Sequence, residues 1–282
     1  MSPTLGAGEI RELAQRLDLR PSKSLGQNFV VDGNTCRKIV RLAKVDSSDV
    51  VLEIGPGLGS LTLVLLAEAK ALVAIEIDNR LAKQLPLTIA AHLPERSSDL
   101  DVIDDDALNV THVNPEPTAL VANLPYNISV PVLLHVLENF TSINRGIVMV
   151  QAEVAQRLAA KSGSKIYGVP SVKLAWWADA EIASSISQEV FWPVPRVDSL
   201  LLSFTRRTSP EANNKILRDR TFSVIDAAFA QRRKMLRASL TSFLGSSEQA
   251  GAKLTEWGID PTARAENLTL NDFIVIARGI FD

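Results

Sequence analysis

The sequence has few of the residues that build covalent cross-links and metal centres. It contains one cysteine, Cys36, and three widely spaced histidines, which excludes an internal disulfide and a cysteine-cluster metal site. A lone cysteine fits a reducing compartment, so we expect a cytoplasmic protein without a metal. The longest apolar runs, such as 61–67, are too short to cross a bilayer, and the first residues lack the apolar stretch of a secretory signal. We therefore expect no membrane association, and a monomer, because nothing in the sequence requires an oligomer.

The sequence also lacks an excess of charge of either sign, since 30 Lys and Arg oppose 32 Asp and Glu. Their distribution is uneven. Residues 1–45 hold eight basic and four acidic residues, residues 46–205 hold ten and nineteen, and residues 206–282 hold twelve and nine. Two basic ends flanking an acidic middle prompt a search for a polyanion site, although chance unevenness is the alternative for segments of this size.

Short apolar runs alternate with helical patterns over the first part of the chain, which predicts a parallel sheet covered by helices on both faces. The predicted strands are 49–54, 71–77, 101–103, 119–122, 146–151 and 199–205, with strands or mixed segments at 171–177 and 181–186. From about residue 210 the pattern is helical. We therefore predict an α/β, Rossmann-like domain over residues 1–207 and a small all-α domain over 208–282.

A glycine-rich turn, Gly55-Pro56-Gly57-Leu58-Gly59, follows the first of these strands. Glycines here tolerate positive φ and let the backbone approach a ligand, and the next helix offers free N–H groups. A dinucleotide fold needs its third glycine at position 60, which is Ser60. The pattern, with Glu53 before it, favours an S-adenosylmethionine loop, and a turn without ligand is the alternative.

Acidic residues follow the next two strands. Glu76 ends the second strand, where a carboxylate can accept both ribose hydroxyls of a nucleoside. Asp106, after the third strand, can accept a hydrogen bond from an adenine amino group. A solvated strand-end acid and an acidic helix cap are the respective alternatives.

The most discriminating motif is Asn123-Leu124-Pro125-Tyr126, which follows the fourth strand. An adenine N6 amine is a poor nucleophile because its lone pair is delocalised into the ring. The Asn123 side-chain carbonyl and the Leu124 backbone carbonyl can hold its two hydrogens. Pro125 has no N–H to donate and fixes the chain so that the Leu124 carbonyl can point inward. Tyr126 can stack on the base, and Phe191 can form the opposite wall. A turn motif and a core position for Phe191 are the alternatives.

Two basic segments complete the pattern. The stretch 227–247 contains four cations and no acid, which suits contacts with phosphates, whereas a solvated helix face normally mixes both signs. These cations are Arg232, Arg233, Lys234 and Arg237. The N-terminal stretch 20–29 is also basic and acid-free, and in it Lys23 is a candidate phosphate contact, while Asn28 and Phe29 can close over a cofactor.

Taken together, these motifs resemble the ribosomal RNA adenine N6,N6-dimethyltransferase family, the kasugamycin-sensitivity methyltransferases of the small subunit. The resemblance rests on KSLGQNF (23–29), EIGPGLGSLT (53–62), EID (76–78), DDAL (105–108), NLPYNIS (123–129), the 191–199 loop and FAQRRKMLRASL (229–240). It implies a class I S-adenosylmethionine-dependent fold. The implied substrate is two adjacent adenosines in the 3′-terminal hairpin of 16S rRNA, in the immature 30S particle, each methylated twice during subunit biogenesis.

The resemblance also assigns residues to roles. Target-base handling falls to Asn123, Leu124, Pro125, Tyr126 and Phe191. The implied cofactor contacts are Asn28, Val30, Gly55, Gly57, Glu76, Ile77, Asp106, Ala107 and Asn123. Two positions depart from the family pattern, since Val30 stands where Leu is frequent and Trp192 where a polar residue is frequent.

Three other functions stay open at this point. Relatives that methylate large-subunit rRNA share the fold and the Asn123–Tyr126 type of motif, although the 191–199 loop and QRRKMLR favour the small-subunit branch. A nucleic-acid-binding factor on a methyltransferase scaffold, like the mitochondrial transcription factors, is the second. A dinucleotide oxidoreductase is the third, and Ser60 argues against it.

Overall fold

The computed structural model describes residues 3–19, 27–209 and 211–282. The strands in this part of the chain are β1 (Phe29–Val30), β2 (Val50–Ile54), β3 (Ala71–Glu76), β4 (Leu100–Asp104), β5 (Ala119–Asn123), β6 (Arg145–Gln151), β7 (Ala178–Ile186), β8 (Phe191–Trp192) and β9 (Ser199–Arg206). The helices are α1 (Ala7–Arg16), α2 (Gly33–Ala43), α3 (Ser60–Glu68), α4 (Asn79–His92), α5 (Ser129–Asn139), α6 (Ala152–Ala159), α7 (Val169–Leu174), α8 (Lys215–Ala230), α9 (Leu236–Ser239), α10 (Thr241–Leu244), α11 (Ser247–Glu256) and α12 (Leu270–Phe281).

Seven strands form one sheet in the order β4-β3-β2-β5-β6-β9-β7. The strands β2 to β6 run parallel, and β9 pairs antiparallel with β6. Every residue of β2 is buried, as expected for a continuous apolar strand inside a parallel sheet. This sheet confirms the predicted Rossmann-like α/β fold.

The strand order reverses between β2 and β5. The chain runs outward from β2 to β3 and β4, and then returns to place β5 on the other side of β2. Ligands of open α/β sheets bind outside the carboxyl ends of the strands at such a switch point. The glycine turn after β2 and the Asn123 motif after β5 therefore lie on either side of the expected crevice.

A separate two-stranded ribbon joins distant parts of the chain. Strand β1 pairs antiparallel with β8, with Phe29 opposite Trp192 and Val30 opposite Phe191. The rings of Phe29 and Trp192 stack with centroids 6.2 Å apart. The ribbon thus connects the segment before α2 with the 191–199 loop.

The chain divides into two compact units, one of residues 1–155 and 181–205 and one of residues 156–180 and 206–282. The first contains the sheet and its helices. The second is mainly helical, with a core built around Phe273, Leu254 and Val224. This division differs from the predicted boundary after residue 207, because residues 156–180 pack with the C-terminal helices.

Two local predictions differ from the structure. The segment 171–177, predicted as a strand or mixed segment, falls largely within helix α7, which begins after Gly168 with Pro170 in its first turn. Within the part predicted to be helical from about residue 210, residues 236–244 form two short helices, α9 and α10, in place of one continuous helix. The remaining predicted strands and helices named above are present, with ends shifted by a few residues.

Candidate active site

The turn after β2 depends on glycine at three positions. Gly55, Gly57 and Gly59 have φ values of 68°, 60° and 99°, which residues with a Cβ rarely adopt. A Cβ on Gly57 would lie 3.0 Å from the Phe29 ring. The turn therefore brings its backbone against Phe29, and helix α3 begins directly after Gly59. This is the strand–turn–helix geometry that suits a close backbone approach to a ligand.

Glu76 at the end of β3 is held against this turn. One of its carboxylate oxygens accepts a hydrogen bond from the Gly57 amide at 3.0 Å, and the other accepts one from the Asp78 amide at 3.0 Å. Burial raises the pKa of Glu76, and the two backbone donors oppose that rise. Each carboxylate oxygen keeps a second lone pair, so Glu76 can also accept from two hydroxyls.

Glu53, in strand β2 just before the turn, is 1% exposed. Its Oε2 atom is buried without a hydrogen-bond partner. Burial raises the pKa of Glu53 to about 8, with a further rise from the Glu76 charge and an opposing effect of the Thr62 hydroxyl. A carboxyl with one unpartnered oxygen in the wall of a pocket is a group that a cationic or hydrogen-bonding ligand can satisfy.

The residues after β3 and β4 give the site both apolar side chains and a carboxylate. Ile77 is 50% exposed although it is apolar, and Ala107 is buried. The Asp106 carboxylate accepts a hydrogen bond from the Leu108 amide at 2.9 Å, which fixes the side chain at the start of the following turn. An exposed apolar side chain beside a carboxylate can bind the flat face and the amino edge of a purine.

All nine residues predicted to contact a cofactor line one cavity in the first unit. The segment before α2 contributes Gln27 and Phe29 as well, and the floor includes Glu53. The predicted members are Asn28, Val30, Gly55, Gly57, Glu76, Ile77, Asp106, Ala107 and Asn123. The glycine cradle, the ribose-type acceptor Glu76 and the unpartnered Oε2 of Glu53 fit a nucleoside cofactor with a positive charge.

Asn123 closes the cavity from the β5 side. Its side-chain Nδ2 donates a hydrogen bond to the Asn28 backbone carbonyl at 2.9 Å. Because this bond uses the amide nitrogen, the side-chain Oδ1 is directed away from Asn28 as an acceptor. The two residues are 95 positions apart in sequence. The contact therefore ties the segment before α2 to the end of β5.

The rest of the motif is anchored from several sides. The Leu124 amide donates to the Met149 carbonyl, and the Leu124 side chain is buried. Pro125 lines the cavity. The Tyr126 hydroxyl lies 2.6 Å from the Ser199 hydroxyl, and burial raises the pKa of Tyr126 while that hydrogen bond opposes the rise. The Tyr126 ring is partly exposed and is the aromatic side chain of this motif.

The structure does not bring Phe191 into the cavity. Its ring is 2% exposed and belongs to the hydrophobic core, because its backbone pairs with Val30 in the ribbon of β1 and β8. Phe191 is therefore a core residue in this structure, which was the alternative to its predicted role. Its ring is not exposed as a wall for a base.

The predicted RNA contacts of the second unit differ among themselves. Arg232 forms an ion pair with Glu266 at 3.0 Å and also donates to the Lys165 carbonyl. Within the part of the chain that the structure describes, no acid pairs with the other three, which are all exposed: Arg233, Lys234 and Arg237. Lys23 lies outside the described residues.

Sequence reasoning missed several contributors to the site. Glu53 was visible as the acid of the E-x-G-x-G-x-G pattern, and Ser199 as the last residue of the 191–199 loop. Gln27, Leu81 and Ile128 also line the cavity, but no sequence signal distinguishes them from ordinary loop and helix residues.

Among the described residues, no group of His, Cys, Asp and Glu could hold a metal ion, and no helix is long and apolar enough to cross a membrane.

The solved structures to which this fold is similar include a dimethyladenosine transferase and an rRNA methyltransferase. A dimethyladenosine transferase from Plasmodium falciparum superposes with a TM-score of 0.75 over 88% of this chain and 95% of that chain, at 24% identity. The 23S rRNA methyltransferase ErmE has a TM-score of 0.66 over 90% of this chain and all of its own, at 25% identity. The first likeness concerns the fold alone.

Relatives found by sequence share much higher identity with this chain than these two solved structures do. A ribosomal RNA small subunit methyltransferase A from Streptomyces avermitilis is 56% identical over 98% of this chain and 93% of its own length. The protein of the same name from Leifsonia xyli is 54% identical over 97% of both chains. The family described as ribosomal RNA adenine dimethylase matches residues 19–280. This chain therefore belongs to the ribosomal RNA adenine dimethylase family.

Proposed function

We propose that this protein transfers methyl groups from S-adenosylmethionine to N6 of two adjacent adenosines in the 3′-terminal hairpin of small-subunit rRNA. It acts as a monomer in the cytoplasm, on the immature 30S particle, and so takes part in subunit biogenesis. The observation that carries the proposal is the placement of Asn123, which lines the cavity and whose side-chain Nδ2 donates to the Asn28 carbonyl, so that Oδ1 is left to accept from a ligand.

The cavity residues divide the cofactor among them. Glu76 would accept the ribose hydroxyls with lone pairs that its backbone donors leave available. Asp106 would accept a hydrogen bond from the adenine amino group, and Ile77 would pack against the ring. The glycine turn and the Glu53 side chain would hold the amino-acid part. When bound, S-adenosylmethionine supplies an electrophilic methyl group on a positively charged sulfur.

The Asn123–Tyr126 motif prepares the nucleophile. Asn123 Oδ1 and the Leu124 carbonyl accept the two hydrogens of the adenine amine, which turns the nitrogen lone pair away from conjugation with the ring. Tyr126 stacks on the base, which has to leave its helix to reach the site. A strong general base is unnecessary, because the amine becomes acidic once it is alkylated and its proton passes to water.

The comparisons favour the small-subunit substrate over the large-subunit one. Identity is 53–56% to the eight small-subunit enzymes compared and 25% to the 23S rRNA enzyme ErmE. The former cover nearly the whole chain. Since a change of substrate changes the surfaces that contact RNA, similarity over both units supports the same substrate class.

Replacing Asn123 with Ala tests the proposal. We expect methyl transfer to unmodified 30S particles to be abolished while circular dichroism and the melting temperature change little, because the lost contact is one hydrogen bond worth about 1 kcal/mol. Asn271→Ala, an exposed asparagine in the second unit, is the matched control and should retain full transfer. Wild-type rates in the Asn123 variant would overturn the assigned chemistry.

The exposed cations of the second unit support the RNA partner. Leu236 and Arg237 donate backbone hydrogen bonds to the Ala263 and Pro261 carbonyls, which places Arg264 beside the predicted cations. Arg264 is exposed as well. We include it with Arg233, Lys234 and Arg237 as a phosphate-contacting surface.

A salt titration tests this surface. Replacing Arg233, Lys234 and Arg237 with Ala should lower the slope of log K against log salt by about 0.7–0.9 for each lost phosphate contact. Arg232→Ala is the comparison, because the Arg232 side chain is already paired with Glu266. We expect this variant to lose protein stability and to change the slope less than a substitution of an unpaired cation does. An unchanged slope in the triple variant would show that these cations form a solvated face, and cofactor affinity should be unchanged in every variant.

A further inference from the structure

A buried serine from a distant strand contacts the aromatic residue of the target-base motif. Ser199, the first residue of β9, is 1% exposed, and its hydroxyl lies 2.6 Å from that of Tyr126, which is 73 positions earlier in the sequence. A buried hydroxyl without a partner is costly, and here each hydroxyl satisfies the other. The distance is typical of an O–H···O hydrogen bond.

The sheet topology explains how this contact arises. Strands β5 and β6 are parallel, and their carboxyl ends lie at the same edge, where Asn123 pairs with Met149. Strand β9 runs antiparallel to β6, so its first residue, and not its last, lies at that edge, opposite Gln151. The antiparallel strand therefore delivers Ser199 to the edge from which the Asn123–Tyr126 motif emerges.

Asp198, the residue before Ser199, is held by two hydrogen bonds. Gln188 Nε2 donates to the Asp198 carboxylate at 2.7 Å, and the Ala152 amide donates to the Asp198 backbone carbonyl at 2.8 Å. These bonds tie the residue next to Ser199 to Gln188 and to the first residue of α6. On the other side, the Ser129 hydroxyl donates to the Tyr126 carbonyl at 3.5 Å.

We infer that Ser199 is a positioning residue, which holds the Tyr126 ring at the angle required to stack on the target adenine. This inference rests on the proposed function, in which Tyr126 contacts the base. Neither side chain of the pair has to exchange a proton. The hydrogen bond restricts rotation of the ring about its bonds to the backbone, so the stacking surface is preorganised before RNA arrives.

The hydrogen bond between the two hydroxyls can be removed by substituting either residue. Ser199→Ala deletes the buried partner, whereas Tyr126→Phe deletes the same hydrogen bond from the partly exposed side and keeps the aromatic ring. We expect each variant to lower the single-turnover rate of methyl transfer to unmodified 30S particles about three- to tenfold, the range for one hydrogen bond. The double variant should match either single variant, and cofactor affinity should be unchanged in all three.

A spectroscopic signal distinguishes positioning from general packing. The chain has only two tyrosines, Tyr126 and Tyr167, and Tyr167 lies in the core of the second unit. In protein labelled with ¹³C in the tyrosine rings, Ser199→Ala should shift the Tyr126 resonance and leave that of Tyr167 in place. Tyr126→Phe identifies the Tyr126 resonance by its disappearance.

The outcomes separate this inference from the proposed function. Additive losses in the double variant, an unmoved Tyr126 resonance or a wild-type rate in Ser199→Ala would each overturn the positioning role. Tyr126→Ala removes the ring itself and should lose far more activity than Tyr126→Phe. Full activity in Tyr126→Ala would remove the stacking role and this inference together, while a large loss there with no effect of Ser199→Ala would overturn this inference alone.

Discussion

Replacing Glu53 with Gln should change how the stability of the protein depends on pH. The carboxyl is fully buried, and its folded-state pKa is raised from 4.5 to about 8. Between these two values the folded protein holds a proton at Glu53 that the unfolded chain releases. The unfolded state therefore binds fewer protons, and the free energy of unfolding falls as pH rises.

The size of this pH dependence follows from the one proton that the folded protein binds at Glu53 and the unfolded chain releases. The contribution of Glu53 changes by about 1.4 kcal/mol per pH unit, which amounts to about 2.7 kcal/mol across two pH units inside this window. A glutamine side chain is close in shape to the protonated acid and cannot ionise. The wild-type protein should therefore lose stability relative to the Glu53→Gln variant by that amount as pH rises from about 5.5 to about 7.5.

Urea unfolding followed by circular dichroism at a series of pH values measures this difference. Glu76, the neighbouring acid whose pKa burial also raises, is present in both proteins, so most of its contribution cancels. Glu95→Gln, at an exposed glutamate, is the matched control and should stay parallel to the wild type. Parallel curves for wild type and Glu53→Gln would mean that Glu53 is ionised in the folded protein throughout the range, which contradicts its raised pKa.

Three further changes test other parts of the site. Glu76→Gln should weaken S-adenosylmethionine binding about tenfold or more in calorimetry, because an amide offers one acceptor where the carboxylate offers two, and Glu95→Gln should bind as the wild type does. Gly57→Ala should lower the melting temperature and the cofactor affinity, since the added Cβ meets the Phe29 ring at 3.0 Å at a φ of 60°, and an unchanged melt would contradict the geometry. Cys36 is fully buried with its pKa raised to about 12, so a thiol reagent should label it only after denaturation.

The sequence was sufficient for the parts of the site that depend on local pattern. Continuous apolar strands predicted the parallel sheet, and the turn residues after them predicted which side chains meet at its carboxyl edge. Glu76 and Asp106 line one cavity with the glycine turn, because parallel strands bring their ends together whatever the intervening helices are.

The parts that could not be predicted depend on pairings between distant segments. The ribbon of β1 and β8 buries Phe191, and no local signal in the 191–199 loop reveals its partner. The bond between Asn123 and Asn28 and the bond between Tyr126 and Ser199 likewise join residues far apart in sequence. The place of residues 156–180 in the second unit was missed for the same reason, since helix α7 precedes the predicted boundary in sequence but packs against α8, which follows it.

Mass spectrometry of the RNA determines whether this chain dimethylates adenosines of small-subunit rRNA. Unmodified 30S particles and large-subunit rRNA are incubated separately with the protein and isotope-labelled S-adenosylmethionine, with Asn123→Ala as the inactive control. We predict N6,N6-dimethyladenosine at two adjacent positions in the 3′-terminal hairpin of the small-subunit rRNA alone. Label in the large-subunit rRNA, or RNA binding without any methyl transfer, would contradict the account.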